Sequence, residues 1–244
     1  MSLKKIFLKT KLTYKLYLYY NLYIRHKCYL KRTQYSQWGE DQYIFDFFKD
    51  KNRGIYLDVG CFHPFMYSNT CLLHRKDWNG INIDINPTSI DLFNIARPKD
   101  TNLCTTISEK KEIFNIYYDD PFSPVNTLDM KFHESLKDKF FKDKKRLTVE
   151  SKSIKEILKI SKIDKSIDFI NIDVEGMDYE ILKKINLNQL KPRLISIETH
   201  NVDGSPSKDF DSITKLLKEN SFSIHKRVGP TTLFSFNSKS ALNT

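Results

Sequence analysis

From residue 54 onward the chain alternates short apolar runs with segments of helical length, and this alternation constrains its fold more than any other feature. Ile55-Tyr56-Leu57-Asp58-Val59 reads as a buried strand stopped by Gly60, and Ile81-Asn82-Ile83-Asp84-Ile85 as a second. Further extended stretches are expected over 103–107, 113–118, 146–150, 167–173 and 193–198. The run 167–173 is apolar enough for a central parallel strand. Helices are expected over 68–76 with Ser68 or Asn69 as cap, over 88–96 behind Pro87, and over 128–141, 153–159, 177–185 and 210–219. Gly229-Pro230 sets a turn between 222–228 and 231–236, which predicts a hairpin. Strands alternating with helices build a parallel sheet covered on both faces, a doubly wound α/β fold. Such sheets bind ligands beyond the carboxyl ends of their strands, where the strand order reverses.

Charge divides the chain in two. Nine of the 40 Lys and Arg residues lie within residues 1–39, which hold no acid, whereas the remainder carries 31 basic and 30 acidic residues. Seven of the 13 tyrosines share that stretch. We therefore expect a basic, Tyr-rich arm over 1–35 and one domain over 36–244. A hydrophobic content of 40% with only seven Gly and eight Pro excludes intrinsic disorder and collagen. No apolar run approaches the roughly 20 residues of a spanning helix. In the arm, Leu12, Leu16, Tyr19, Tyr20 and Tyr23 recur near a helical period, so an amphipathic helix is expected. It would either pack on the body with its lysines in water or lie on a partner or an anionic membrane surface. The uncharged run 16–24 is too short and Tyr-rich for a secretory signal. Cys28, Cys61, Cys71 and Cys104 show neither CxxC nor zinc spacing, so reduced thiols and a cytoplasmic location are expected; packing of the arm on the body is the favoured of its two readings, and the other would put the protein at the periphery of the inner membrane.

The rule of the strand ends selects a short list of residues: Asp58 and Gly60, Asp84, Asp173 and Glu198. Gly60 permits close backbone approach, and an acid at the end of the second strand can accept both hydroxyls of a ribose. Cys61-Phe62-His63-Pro64 stands where a dinucleotide-binding loop would need more glycines. A nucleoside ligand without phosphates is therefore expected, rather than NAD or FAD. Asp173-Val174-Glu175-Gly176 and Glu198-Thr199-His200 form a second set. In extended chain, residues two apart share a face, so Asp173 aligns with Glu175 and Glu198 with His200. Asp173, Glu198 and His200 could hold a divalent cation, Mg or Mn, or the set could supply a general base with its orienting partner. A cluster salt-bridged to Lys183, Lys184 or Arg193 is the plainer alternative. Residues 36–42 read as a capping turn before a helix over 43–49.

Several of these segments resemble the FkbM-type methyltransferase family. They are Ser36-Gln-Trp-Gly-Glu-Asp-Gln42, Leu57-Asp-Val-Gly-Cys-Phe-His-Pro64, Ser68-Asn-Thr70, Trp78-Asn-Gly-Ile-Asn-Ile-Asp84, Asn86-Pro87 and Asp168-Phe-Ile-Asn-Ile-Asp-Val-Glu-Gly176, spread over 35–236. The resemblance implies a seven-strand, Rossmann-like sheet of the class I methyltransferase form and an S-adenosylmethionine-dependent O-methyltransferase. It further implies a small-molecule acceptor, a hydroxyl of a sugar or nucleotide-linked sugar, in bacterial surface polysaccharide (capsule or lipopolysaccharide) biosynthesis. Carried over, Asp58, Gly60, Asn69 and Asp84 hold the cofactor, Ser108 lies near its adenine, and Gln37 and Asp41 close over it. Asp173, Glu175, Glu198 and His200 face the acceptor. The Lys-rich stretch 137–146 would meet substrate phosphates or form a solvated helix. An RNA methyltransferase or RNA-binding module using the Tyr/Lys arm is the rival that a pI near 9.2 raises; the near-neutral body speaks against it, so no nucleic acid is expected.

Overall fold

The computed structural model describes residues 10–118, 123, 126–130, 134, 145–163 and 166–237. Among these, Lys11–Tyr20 (α1) leads through a π-helical turn at Asn21–Arg25 and a 3₁₀ turn at Lys27–Lys31 to Glu40–Phe47 (α2). Then come Ile55–Val59 (β1), Cys71–Arg75 (α3), Asn79–Asp84 (β2), Pro87–Ala96 (α4), Thr101–Cys104 (β3), Thr106–Ile107 (β4), Ile113–Tyr118 (β5) and Lys145–Lys152 (β6). Ile154–Ser161 (α5), Phe169–Ile172 (β7), Asp178–Leu182 (α6), Leu187–Leu190 (α7), Leu194–Glu198 (β8), Phe210–Glu219 (α8), Phe222–Val228 (β9) and Thr231–Phe236 (β10) complete the order.

Seven strands form the central sheet in the order β3-β2-β1-β7-β8-β10-β9. All neighbours through β8 are parallel, and β10 runs antiparallel to both β8 and β9. The doubly wound, mostly parallel seven-strand sheet is thus present. Its order reverses between β1 and β7, where Asp173 N–H reaches Val59 C=O at 2.9 Å. Leu57, Val59, Ile81, Ile83, Ile170, Ile172, Ile195 and Ile197 pack on one face against Ile157, Leu182, Ile213 and Leu217 from α5, α6 and α8. On the other face Ile44, Phe48 and Trp78 cover Tyr56, Phe169 and Leu233.

That second face also carries a polar row. Asn102, Asn82, Asp58, Asn171 and Ser196 stand in register across five adjacent strands. Asp58 accepts from Thr70 Oγ1 at 2.7 Å and from Asn171 Nδ2 at 2.9 Å. Fully buried Arg97 donates to Thr70, Tyr56, Ser68 and the Pro64 carbonyl, and Asn69 donates to Asn171. Buried polar atoms are affordable in a core only when paired, and this network pairs most of them.

Several local expectations change. The stretch 103–107 is two strands, because Thr105 N–H turns to Asp84 C=O and hands β4 to a separate three-strand sheet, β4-β6-β5. The helix expected over 68–76 shrinks to Cys71–Arg75, since Thr70 spends its hydroxyl on Asp58 and no side chain caps the first turn. The strand expected over 167–173 ends at Ile172, and Glu175 and Gly176 adopt left-handed backbone, with φ of 50° and 91°. The expected helix over 128–141 and the Lys-rich stretch 137–146 fall largely outside the described residues. All four cysteines are free thiols.

Candidate functional site

The carboxyl ends of β1, β2 and β7 open onto a cavity enclosing about 670 Å³ of non-atom space, part of it open to solvent. Gly60, Asp84, Asp173 and Glu175 line it together, with Ile85, Ile107, Phe114 and Leu128 as apolar walls. The position is that of a small-molecule site at a topological switch point.

Gly60 has a left-handed φ of 84°, and a Cβ there would stand 1.7 Å from the Asp173 carbonyl oxygen. The glycine therefore lets β1 and β7 meet; the contact it permits is with neighbouring backbone. From that turn Phe62, itself left-handed at φ 45°, sends its N–H to Asp84 Oδ2 at 2.8 Å. Asn86 N–H reaches Asp84 Oδ1 at 2.7 Å. Burial pushes the Asp84 carboxyl up to about 6 despite these two donors. His63 fixes the loop: its Nδ1 accepts from Phe65 and Met66 N–H, and its Nε2 lies 3.1 Å from Asn21 Oδ1. Burial, then the neighbouring His26 and Arg97, lower its pKa to about 3, so the ring is neutral and Nε2–H donates to Asn21.

At the end of β7 the carboxylates converge. Burial and the charges of Glu198, Glu175, Asp178 and Glu40 push Asp173 well above the usual carboxylate range. Burial followed by Asp178 raises Glu175 to about 7, and burial with Asp178, Glu175 and Glu40 raises Glu198 to about 8. Among the described residues, no donor lies within hydrogen-bonding distance of the Asp173, Glu175 or Glu198 carboxyl groups. Asp173 and Glu175 line the cavity while Glu198 stands behind them, and carboxyl groups whose ionisation is opposed by burial and by one another beside a cleft make this strand end the candidate site. The chain folds this way locally because Thr231 pairs with Glu198 in the β8–β10 ladder and donates to Glu40 Oε1 at 3.3 Å, drawing the start of α2 over the strand end. Glu40 in turn accepts from Trp38 N–H at 2.9 Å.

The remaining expected residues lie elsewhere. Asp58 and Asn69 belong to the buried polar network and do not line the cavity. Asp41 accepts from Tyr35 N–H and Ser36 Oγ, closing the turn before α2, and Gln37 is exposed. Ser108 donates to Glu112, while its neighbours Thr106 and Ile107 line the cavity. His200 contacts Thr199 Oγ1 at 2.8 Å and packs edge-on against Phe210. Among the described residues no three His, Cys, Asp or Glu side chains are placed to hold a metal ion, so the cation set of Asp173, Glu198 and His200 is not assembled. Its imidazole is engaged by Thr199 and Phe210, and the strand end leaves Glu175 turned back on itself. Among the described residues no ion pair joins the cluster to the basic residues of the plainer alternative: Lys183 pairs with Glu180, Arg193 sits over Phe47 and Phe48, and Lys184 lines the cavity beside Asp173 and Glu175. Phe62 joins the cavity wall, and Glu40 and Asp178 act on the carboxylates as neighbouring charges; the run Ser36–Gln42 carries a signal for Glu40, and Asp178 follows Gly176 too closely to be separated from helix start chemistry.

A model of the methyltransferase FkbM domain matches residues 52–224, more than half of the chain. A search of curated proteins returns no match.

Proposed function

The chain belongs to the FkbM methyltransferase family, and from that premise we propose that it is an S-adenosylmethionine-dependent O-methyltransferase. Its acceptor in this reading is a hydroxyl of a sugar or nucleotide-linked sugar, used in building bacterial surface polysaccharide such as capsule or lipopolysaccharide. One observation carries the reading: a single cavity is lined by Asp84 from the end of β2 and by Asp173 and Glu175 from the end of β7.

The residues present fit the cofactor. Asp84 keeps acceptor capacity beyond its two backbone donors and the Ser89 hydroxyl, since an ionised carboxylate offers about four lone-pair sites. Ile85, Ile107, Phe114 and Leu128 give apolar walls suited to a purine. When bound, S-adenosylmethionine supplies an activated methyl carbon. Asp84 would hold the ribose hydroxyls, and Ile85 and Ile107 would offer apolar surface to the base. Glu175, titrating near 7, accepts the proton of the acceptor hydroxyl, and Asp173 orients that hydroxyl. Orientation of this kind can lower a barrier by roughly 7–11 kcal/mol.

Calorimetry with S-adenosylmethionine and S-adenosylhomocysteine tests the premise. Wild-type protein is expected to bind both. Asp84→Ala should weaken binding about 10–100-fold, the worth of about 1.5–3 kcal/mol for hydrogen bonds to a charged group. Labelled-methyl transfer to a panel of nucleotide sugars and oligosaccharides then tests the acceptor. Label appearing in RNA and in no saccharide would overturn the sugar assignment.

A further inference from the structure

The arm helix has two apolar stripes, and the body uses one of them. Tyr17, Leu18, Asn21 and Leu22 are buried, Leu18 and Leu22 packing on Leu92 of α4, and Tyr14 donates to Asp91 at 2.8 Å. By the helical period Leu12, Leu16, Tyr19 and Tyr23 fall on the opposite side, with Tyr20 and Ile24 beside them. Those six side chains face water: Leu12 is 70%, Leu16 55% and Ile24 59% exposed. Among the described residues they belong to none of the buried apolar clusters.

Around that stripe the charge has one sign. Lys11, Lys15, Arg25, Lys27, Lys31 and Arg32 are exposed, and none takes part in an ion pair among the described residues. The sequence offers no acid before Glu40. No helix among the described residues is long and apolar enough to cross a membrane. A helix with an aliphatic and tyrosine face between cations is built to lie in an interface, its apolar side in the acyl boundary and its lysines at anionic headgroups.

We infer that the exposed face of α1 docks the protein on an anionic phospholipid surface. Charge complementarity selects that partner, since each cation near such a surface contributes about 1 kcal/mol. The exposed leucines and isoleucine separate a lipid surface from a nucleic acid, which offers no hydrocarbon layer to receive them. Arg32 already sits 4.3 Å over the Tyr29 ring, taking one aromatic surface a base would need. The arm also stands beside the cavity. Asn21, Arg25 and His26 line a small pocket with Phe62 and Ser89, and those two residues also line the large cavity.

Vesicle co-sedimentation of the full chain tests this, with phosphatidylcholine vesicles against vesicles containing about a third phosphatidylglycerol, a composition in which one variable, headgroup charge, is changed. Wild-type protein should sediment with the anionic vesicles, and the bound fraction should fall as salt rises. Leu12→Ser/Leu16→Ser/Ile24→Ser should lower vesicle affinity at least about tenfold, as loss of buried aliphatic area predicts. Its melting temperature and S-adenosylhomocysteine binding should be unchanged, because these side chains make no contact with the core. Lys11→Glu/Lys15→Glu should lower affinity for anionic vesicles only. Equal binding to both vesicle types, or full binding by the triple serine variant, would overturn the proposal. So would wild-type protein that binds a single-stranded RNA oligonucleotide and no vesicle, or a triple variant that turns a dimer into a monomer.

Discussion

At Asp84 two backbone N–H groups already hold the carboxylate where β2 ends, so its orientation is set before any ligand arrives. Glu175 is placed differently, by left-handed backbone that turns it back into the cavity just past β7. Non-glycine residues in that conformation are uncommon and gather where geometry serves a site. If Glu175 takes the acceptor proton, kcat of the wild type should rise with pH through about 7, where the group ionises. Glu175→Gln should lower kcat by about 10²–10⁴-fold and abolish that limb, with KM little changed. A pH series of initial rates on both proteins reads this directly. Asp58 shows why a neighbouring acid was harder to interpret. It stands one residue before the end of β1, and in a strand that parity turns its side chain into the polar row beneath the sheet's second layer.

Among elements, the junction of β1 with β7 carries the site. Gly60 N–H binds Ile83 C=O at 2.8 Å, Asp173 N–H binds Val59 C=O, and no Cβ fits between the strands. Gly60→Ala would combine a left-handed alanine with a contact to the Asp173 backbone that no rotamer relieves. We expect a loss of about 3–5 kcal/mol in urea unfolding, or no soluble protein, with ligand binding lost in parallel. The hairpin β9–β10 does related work on the far side: through Thr231 it joins Glu40 to the end of β8. The start of α2 thereby reaches an acidic cluster more than a hundred residues distant in sequence.

For the whole molecule, the acidic mouth sets how stability responds to pH. Glu198 titrates near 8 in the fold against an ordinary 4.5, because burial and then Asp178, Glu175 and Glu40 disfavour its charge. A raised folded pKa means that the stabilising contribution is full below about 4.5 and is lost as pH rises through about 8. The melting temperature of the free protein should therefore fall between pH 5 and pH 9 more steeply than that of Glu198→Gln. The variant should be several degrees more stable at pH 9, about 2–4 °C per kcal/mol, with the gap nearly closed at pH 4, as differential scanning fluorimetry can show. The alternation of apolar runs and helical segments, with acids and a glycine at the strand ends, was enough to give the parallel sheet and to put Gly60, Asp84 and Asp173 at its carboxyl edge, since strand period and strand termini are local properties of a chain. Local sequence could not decide which partner each of those groups would meet. The pairing of Asp58 with Thr70 and Asn171, the engagement of His200 by Thr199 and Phe210, and the approach of Glu40 to Glu198 all depend on strand order and on helices packed from distant segments. Burial and the neighbouring charges fix a carboxylate's chemistry, and both come into being only when the sheet closes around it.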